Sequence, residues 1–212
     1  VGGQISAVMD DIHPTAVKIG MVNDAETIHA IAKTLGRYKD VAVIIDPVMV
    51  STSGCRLMQE DALQVFRTEL MPLATLLTPN VPEAEILSGI KIETVDDMDR
   101  AAKRICNEAG CAVLVKGGHL DGNTKTDILY TDGQRTATYE AQTVETRNTH
   151  GTGCTLSSAI TAHLALGYTM ADAIRLAKTY LYKALEAGKD VEIGRGHGPV
   201  NHFFDPHPYY TK

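Results

Sequence analysis

The sequence has no apolar run long enough to cross a bilayer. Its longest, Val41–Ile45 and Ala112–Val115 among them, fall far short of the roughly 20 residues a membrane span needs, so a membrane is not an expected partner. No signal-peptide pattern is visible. It also has no basic block: 20 Lys and Arg stand against 26 Asp and Glu, for a net charge of −6. That balance suits neither phosphate-backbone tracking nor nucleic acid as a partner. The four cysteines, at 55, 106, 111 and 154, form no CxxC pair and no Cys/His zinc spacing. This argues for a reduced, cytoplasmic chain in which Cys55, Cys106 and Cys111 are structural filler. There is no internal repeat, low-complexity stretch or linker, and no GxxxxGK[ST] loop.

What remains is the composition of an ordinary globular protein, 44% apolar and 22% charged over 212 residues. That length suffices to bury a core without disulfides or metal, and a single domain over 1–212 is expected. Strand-like and helix-like runs alternate from end to end. Helical spacing covers residues 4–12, and Ala16–Ile19 is a short strand. Asn23 with Glu26 resembles a capping box ahead of an amphipathic helix carrying Ile28, Ile31, Ala32 and Leu35. Val41–Ile45 is a β-branched run of the kind buried on both faces. A helix follows over about 60–70, then a strand at Thr75–Thr78, with Pro82 suited to a first helical turn. After Thr94 comes a helix with Met98, Ala101, Ala102 and Ile105, then a strand at Cys111–Val115. Asp127–Thr131 and Thr136–Glu140 are expected to pair across the turn signal Asp132-Gly133. Two helices, about 152–166 and 170–187, close the pattern. The alternation predicts an α/β protein with a mostly parallel sheet and helices on both faces.

Ligands of such sheets bind outside the carboxyl ends of the strands, so the residues just after each strand carry the functional signal. They are Gly20-Met21, Asp46-Pro47, Pro79-Asn80 with Glu83 three residues on, Lys116-Gly117-Gly118-His119, and the helix-opening segment Asn148 to Cys154. Gly151 and Gly153 let backbone amides approach a ligand where a helix begins, a setting that favours an anion such as phosphate. A Gly-rich helix start with no ligand is the plainer alternative. Lys116 at a strand end is costly unless it meets an anion. Asn80 and Glu83 suit Mg²⁺, directly or through water, and Asp46 is a further oxygen donor. Helix-start amides, a lysine and carboxylates are what phosphoryl transfer requires.

With these motifs in order along nearly the whole chain, the sequence resembles the ribokinase-like superfamily. Within it, the resemblance is to the hydroxymethylpyrimidine and phosphomethylpyrimidine kinases of thiamine biosynthesis. The matching stretches are Ala16–Met21, Asp46–Met49, Thr78–Ala84, Val115–His119, Asn148–Leu156 and Gly196–Phe203. Cysteine after His-Gly-Thr-Gly, where many sugar kinases of the superfamily carry Asp, is the pattern of the pyrimidine kinases and of some pyridoxal kinases.

The resemblance implies a three-layer αβα sandwich. It implies that ATP phosphorylates the hydroxymethyl group of 4-amino-5-hydroxymethyl-2-methylpyrimidine and that a second ATP converts the monophosphate to the pyrophosphate. Gly151, Thr152 and Gly153 would form the anion hole. Lys116 would neutralise ATP phosphates, and Asn80, Glu83 and Thr149 would serve the nucleotide. Glu83 and Asp46 would serve Mg²⁺, and Gly20 and Met21 the pyrimidine. Cys154 would sit beside the acceptor oxygen, where a helix N-terminus can make a thiol partly thiolate. A homodimer is a further implication.

Plainer alternatives stand beside these roles. Cys154 can be a small buried helix residue, and Lys116 can pair with a carboxylate on the sheet edge. Glu83 can be an exposed first-turn carboxylate, Asp46 can bond backbone groups, and Met21 can belong to core or pocket. His119 and His150 are assigned no role. The family pattern begins with strands that do not precede Val1, so an incomplete N-terminus is expected. With it comes the expectation that the 212 residues alone have little kinase activity. Rival functions are a pyridoxine or pyridoxal kinase, a nucleotide-binding module without turnover, and a structural α/β domain.

Overall fold

The computed structural model describes residues 1–50, 57–118 and 122–206. Among these residues, six strands form one sheet in the order in which they occur in the chain. They are β1 (Ala16–Ile19), β2 (Ala42–Ile45), β3 (Leu76–Leu77), β4 (Ala112–Lys116), β5 (Thr124–Thr131) and β6 (Gln134–Gln142). β1 to β4 run parallel, while β5 and β6 add an antiparallel hairpin beyond β4. The hairpin turns at Asp132 and Gly133, both at positive φ (52° and 72°), which is the backbone hand that continues strand twist.

Among the described residues, seven α-helices cover the two faces: α1 (Gly2–Asp11), α2 (Ala25–Leu35), α3 (Glu60–Val65), α4 (Val81–Ser88), α5 (Val95–Ala109), α6 (Thr152–Ala165) and α7 (Met170–Gly188). Side chains alternate along a strand, and the alternation sorts two cores. Val43, Ile45, Leu77, Val113, Val115, Ile128 and Tyr130 point into the layer of α1–α5. Ile44, Leu76, Leu114 and Leu129 point the other way, onto Leu156, Ile160, Ala173, Ile174 and Ala177 of α6 and α7. The result is the αβα sandwich expected from the sequence.

Local differences from the sequence reading have physical causes. The N-cap of α2 is Asp24, which accepts the Thr27 N–H at 2.8 Å, rather than an Asn23/Glu26 box. Both positions carry cap-forming residues, and the shift by one places Ile28, Ile31, Ala32 and Leu35 in the core. The helix expected over 60–70 is α for only six residues. It widens into a π turn over 66–70 and ends in a 3₁₀ turn at Met71–Leu73. Pro72 has no N–H to give the fourth carbonyl back and crowds it, so a regular last turn is closed to this sequence. The β5–β6 hairpin is longer than its apolar alternation suggests, because its outer ends are polar and exposed.

Candidate active site

The carboxyl ends of β1, β2, β3 and β4 lie side by side, and of the residues singled out from the sequence Asp46, Asn80, Glu83, Lys116 and Gly153 meet there. Asp46 follows β2 and is 2% exposed. Its Oδ1 accepts the Lys116 ammonium at 2.7 Å and lies 3.3 Å from the Thr78 hydroxyl; its Oδ2 lies 3.4 Å from the Ser157 hydroxyl of α6. Lys116 is the last residue of β4, with its side chain 13% exposed. The anion a strand-end lysine demands is therefore present in the protein itself. The same alternation that aims Ile44, Leu76 and Leu114 at α6 aims Asp46, Thr78 and Lys116 there too.

Above this pair stands the start of α6. Helices α2, α4, α5 and α7 each begin with a side-chain cap, whereas α6 begins at Gly151 with none. Gly151 sits at φ 87°, a left-handed conformation that favours glycine. A Cβ on Gly153 would lie 3.6 Å from Lys116 Nζ and 3.7 Å from Asp46 Oδ2, so the first turn of α6 rests directly on the ion pair. The uncapped amides and the helix dipole of α6 favour an anion there, while the Lys116 charge beneath them is already balanced by Asp46. The loop before α6 is tied down from behind. Asn148, 4% exposed, donates to the Gly188 and Val191 carbonyls, both at 2.7 Å. His150 pairs with the Gly198–Val200 segment through backbone hydrogen bonds.

Asn80 and Glu83 form a reciprocal capping box at the start of α4. Asn80 Oδ1 accepts the Glu83 N–H at 2.9 Å, and Glu83 Oε2 accepts the Asn80 N–H at 2.8 Å. Asn80 also bridges Lys116 across the sheet edge. Glu83 is 2% exposed, so the alternative of an exposed first-turn carboxylate does not hold. Burial pushes its carboxyl up to about 7, against the opposing pull of Lys116 and the Asn80 amide.

The remaining residues are less enclosed. Met21 is 62% exposed beside Gly20 at the end of β1, which removes the core alternative for it. Thr149 faces solvent. Cys154 is an exposed free thiol, not a buried filler, and lines a cleft of about 550 Å³ with Thr155, Ser158, His163, Tyr180 and His202. Cys106 is buried and Cys111 half-buried, as structural cysteines would be; burial pushes the Cys111 thiol up to about 12. Cys55 and His119 lie outside the described residues. Thr78 and Ser157 were not singled out from the sequence as site residues, and Asn148 only as part of the segment that opens α6. Their signal was available: Thr78 and Ser157 are polar on otherwise apolar stripes, Thr78 after Leu76-Leu77 and Ser157 between Leu156 and Ile160.

For magnesium, the described residues contain no cluster of three His, Cys, Asp or Glu side chains suited to a metal ion. Both Asp46 oxygens face polar partners, and Glu83 accepts backbone amides from Asn80 and Met49. Both carboxylates are thus engaged within the protein, and the described residues alone do not make a fitted Mg²⁺ site.

The geometry agrees with what the chain is similar to. The family model described as phosphomethylpyrimidine kinase matches residues 1–201. A Rhizobium meliloti protein named hydroxymethylpyrimidine/phosphomethylpyrimidine kinase is 48% identical over 204 residues, which are 96% of this chain and 76% of that protein. A crystal structure of phosphomethylpyrimidine kinase from Clostridium difficile is 43% identical, with a TM-score of 0.75 over 87% of this chain and 74% of that one. Pyridoxal kinase from Bacillus subtilis, solved as an ADP complex, is 36% identical with a TM-score of 0.86, covering 94% of this chain and 74% of that one. A lysine–aspartate pair under an uncapped, glycine-led helix start and this likeness along the whole described sheet lead to one assignment: the chain belongs to the phosphomethylpyrimidine kinase family.

Proposed function

We propose that this protein transfers the γ-phosphoryl group of ATP to the hydroxymethyl oxygen of 4-amino-5-hydroxymethyl-2-methylpyrimidine, and then to the resulting monophosphate, in thiamine biosynthesis. The observation that carries the reading is the first turn of α6 seated on the Asp46–Lys116 pair. Charge developing on the transferred group would meet the amides of Gly151, Thr152 and Gly153, already oriented before substrate arrives. Lys116 reaches Asp46 with its ammonium and bridges Asn80 through its backbone, so its ammonium can be shared between the carboxylate and nucleotide phosphates. Asn80, which bridges Lys116, and Thr149, on the loop that leads into α6, are assigned to the nucleotide. Gly20 and Met21, at the far end of the parallel strands, form the acceptor side.

In the first transfer the acceptor oxygen bonds to the γ-phosphorus, the bond from that phosphorus to the ADP oxygen breaks, and the hydroxyl proton must leave. Cys154, exposed at the start of α6, is the group assigned to take it. The second acceptor is a phosphate oxygen that already carries charge and needs no base. A kinase of this chemistry working in the cytoplasm fits the free thiols of Cys106, Cys111 and Cys154.

The test is ADP release by the protein purified at its natural length, with the pyrimidine alcohol and its monophosphate offered separately. Turnover of both supports the reading, and turnover of neither removes it. Cys154→Ala is expected to slow the alcohol step by about 100-fold, within the range for a general base, and the monophosphate step far less. Equal loss in both would make Cys154 a packing residue. A second acceptor, pyridoxal, is favoured by one observation: the fold superposes on a pyridoxal kinase with a TM-score of 0.86. Pyridoxal belongs in the same assay, where a kcat/KM above that for the pyrimidine would reverse the assignment.

A further inference from the structure

A second buried ion pair lies directly behind the Lys116–Gly118 turn. Asp127 stands on β5 opposite Lys116 in the strand ladder and is 5% exposed. Its neighbour Ile128 points into the α1–α5 core and Leu129 into the α6–α7 core, so Asp127 faces the α6–α7 layer. Its Oδ2 accepts the ammonium of Lys178 from α7, and the two side chains are 7% and 15% exposed. Its Oδ1 accepts the backbone N–H of Gly117 at 3.0 Å. Burying two charges is costly, and apolar side chains of similar volume would fill the same space without that cost. The distinctive thing this pair does is hold the Gly117 amide.

Gly117 is constrained from a second direction. A Cβ at this position would fall 2.0 Å from the Thr126 carbonyl oxygen, a distance no side chain can occupy. The chain leaving β4 is thus pressed against the β5 backbone at Gly117 and bonded to the β5 side chain next to it. The residue immediately before is Lys116, whose ammonium must reach Asp46 under the start of α6. A displacement of Gly117 would pass straight to that lysine, since one peptide unit separates them.

We infer that Asp127, locked by Lys178, is a positioning residue that fixes the Lys116–Gly117–Gly118 turn and so sets where the Lys116 ammonium meets the nucleotide phosphates. The inference rests on the reading of Lys116 as a nucleotide-binding residue and adds two residues, one of them on a different helix, to that site. Neither is close to the acceptor side at Gly20 and Met21, because β2 and β3 lie between β1 and β4. Its effect is therefore specific to one substrate.

Four proteins test it: wild type, Asp127→Ala, Lys178→Met and the double variant Asp127→Asn/Lys178→Met. Asp127→Ala removes the acceptor for Gly117. The double variant is neutral but keeps a side-chain oxygen for the Gly117 N–H. Asp127→Ala is expected to raise KM for ATP at least about tenfold while KM for the pyrimidine moves less than about threefold; the double variant should return KM for ATP to within about threefold of wild type. Lys178→Met alone, which leaves Asp127 without its counter-ion, should fall between them. If both KM values rise together in Asp127→Ala, or if the double variant is no better than Asp127→Ala, the positioning role is wrong. Should Asp127→Ala not fold, Asp127→Leu/Lys178→Met, an apolar pair without an acceptor for Gly117, takes its place against the double variant. Hydrogen exchange at the Gly117 amide supplies a readout without turnover, slow in wild type and the double variant and fast in Asp127→Ala. Wild-type protein that neither binds nor turns over ATP would remove the functional reading, and the Gly117 exchange rates would still decide the positioning.

Discussion

Toward α1–α5 the strands present Val43, Ile45, Leu77, Val113 and Val115, and the layer they meet is apolar almost throughout. Toward α6 and α7 the same strands present Ile44, Leu76 and Leu114, and then, one step further along, Asp46, Thr78 and Lys116. Asp127 and Lys178 lie on that side as well. Both faces obey the same two-residue alternation, yet nearly all the buried charge is on one of them. The α1–α5 face can be filled by apolar volume alone. The α6 face carries Lys116 under the start of α6 and Lys178 on α7, and these two are matched by the buried carboxylates of Asp46 and Asp127. Glu83 is the exception on the apolar side, held at the head of α4 by its capping box.

The largest effect should come from breaking the charged face. Lys116→Met strands Asp46 without its counter-ion, and a broken buried pair costs about 3–5 kcal/mol, read by urea unfolding. Turnover should fall at least about 100-fold, as when a strong anion contact is lost. Adding Asp46→Asn should return most of the stability and none of the turnover. Recovery of both would mean that the pair is only structural.

On the apolar face, Leu77→Ala empties a fully buried site and should cost about 3–4 kcal/mol. The folded fraction should keep its KM for ATP. A changed KM would show that the two faces are not separable.

Glu83 sharpens the comparison through pH. Its carboxyl is raised from 4.5 to about 7 in the folded protein by burial. Below pH 4.5 it is protonated whether the chain is folded or not. Between 4.5 and 7 the unfolded chain loses the proton first, so its stabilising contribution declines as pH rises and is gone above 7. The decline should amount to roughly 3 kcal/mol at most, and Glu83→Gln should flatten it. Identical pH profiles for the two proteins would mean that folding does not raise the Glu83 carboxyl.

The smallest effect is expected far from both faces. Thr169 caps α7 by accepting the Asp172 N–H at 3.3 Å, and Thr169→Ala should cost about 1 kcal/mol in thermal unfolding with no change in turnover.

Much of this architecture was written in local sequence. Ala16–Ile19 is a strand with the bounds its pattern indicated, and Thr94 and Thr169 start helices where their caps stand. Strand-end polar residues identified Asp46, Asn80, Glu83 and Lys116, because a polar group after a buried parallel strand has few other reasons to be there. Less legible were Ser157, Asn148, Asp127 and Lys178. Their bonds join residues 40 or more apart in the chain, and no local pattern says which carboxylate a distant lysine will reach.

The sequence by itself determined the alternation of strands and helices, the glycine-led start of α6 and the kinds of residue that end each strand. Periodicity, caps and backbone freedom are properties of neighbouring residues, and they act before any tertiary contact forms. That Lys116 pairs with Asp46, that Glu83 is buried rather than exposed and that Gly117 hangs from Asp127 are outcomes of packing distant segments together. Those outcomes depend on which strand lies beside which, and on how far water is excluded between them.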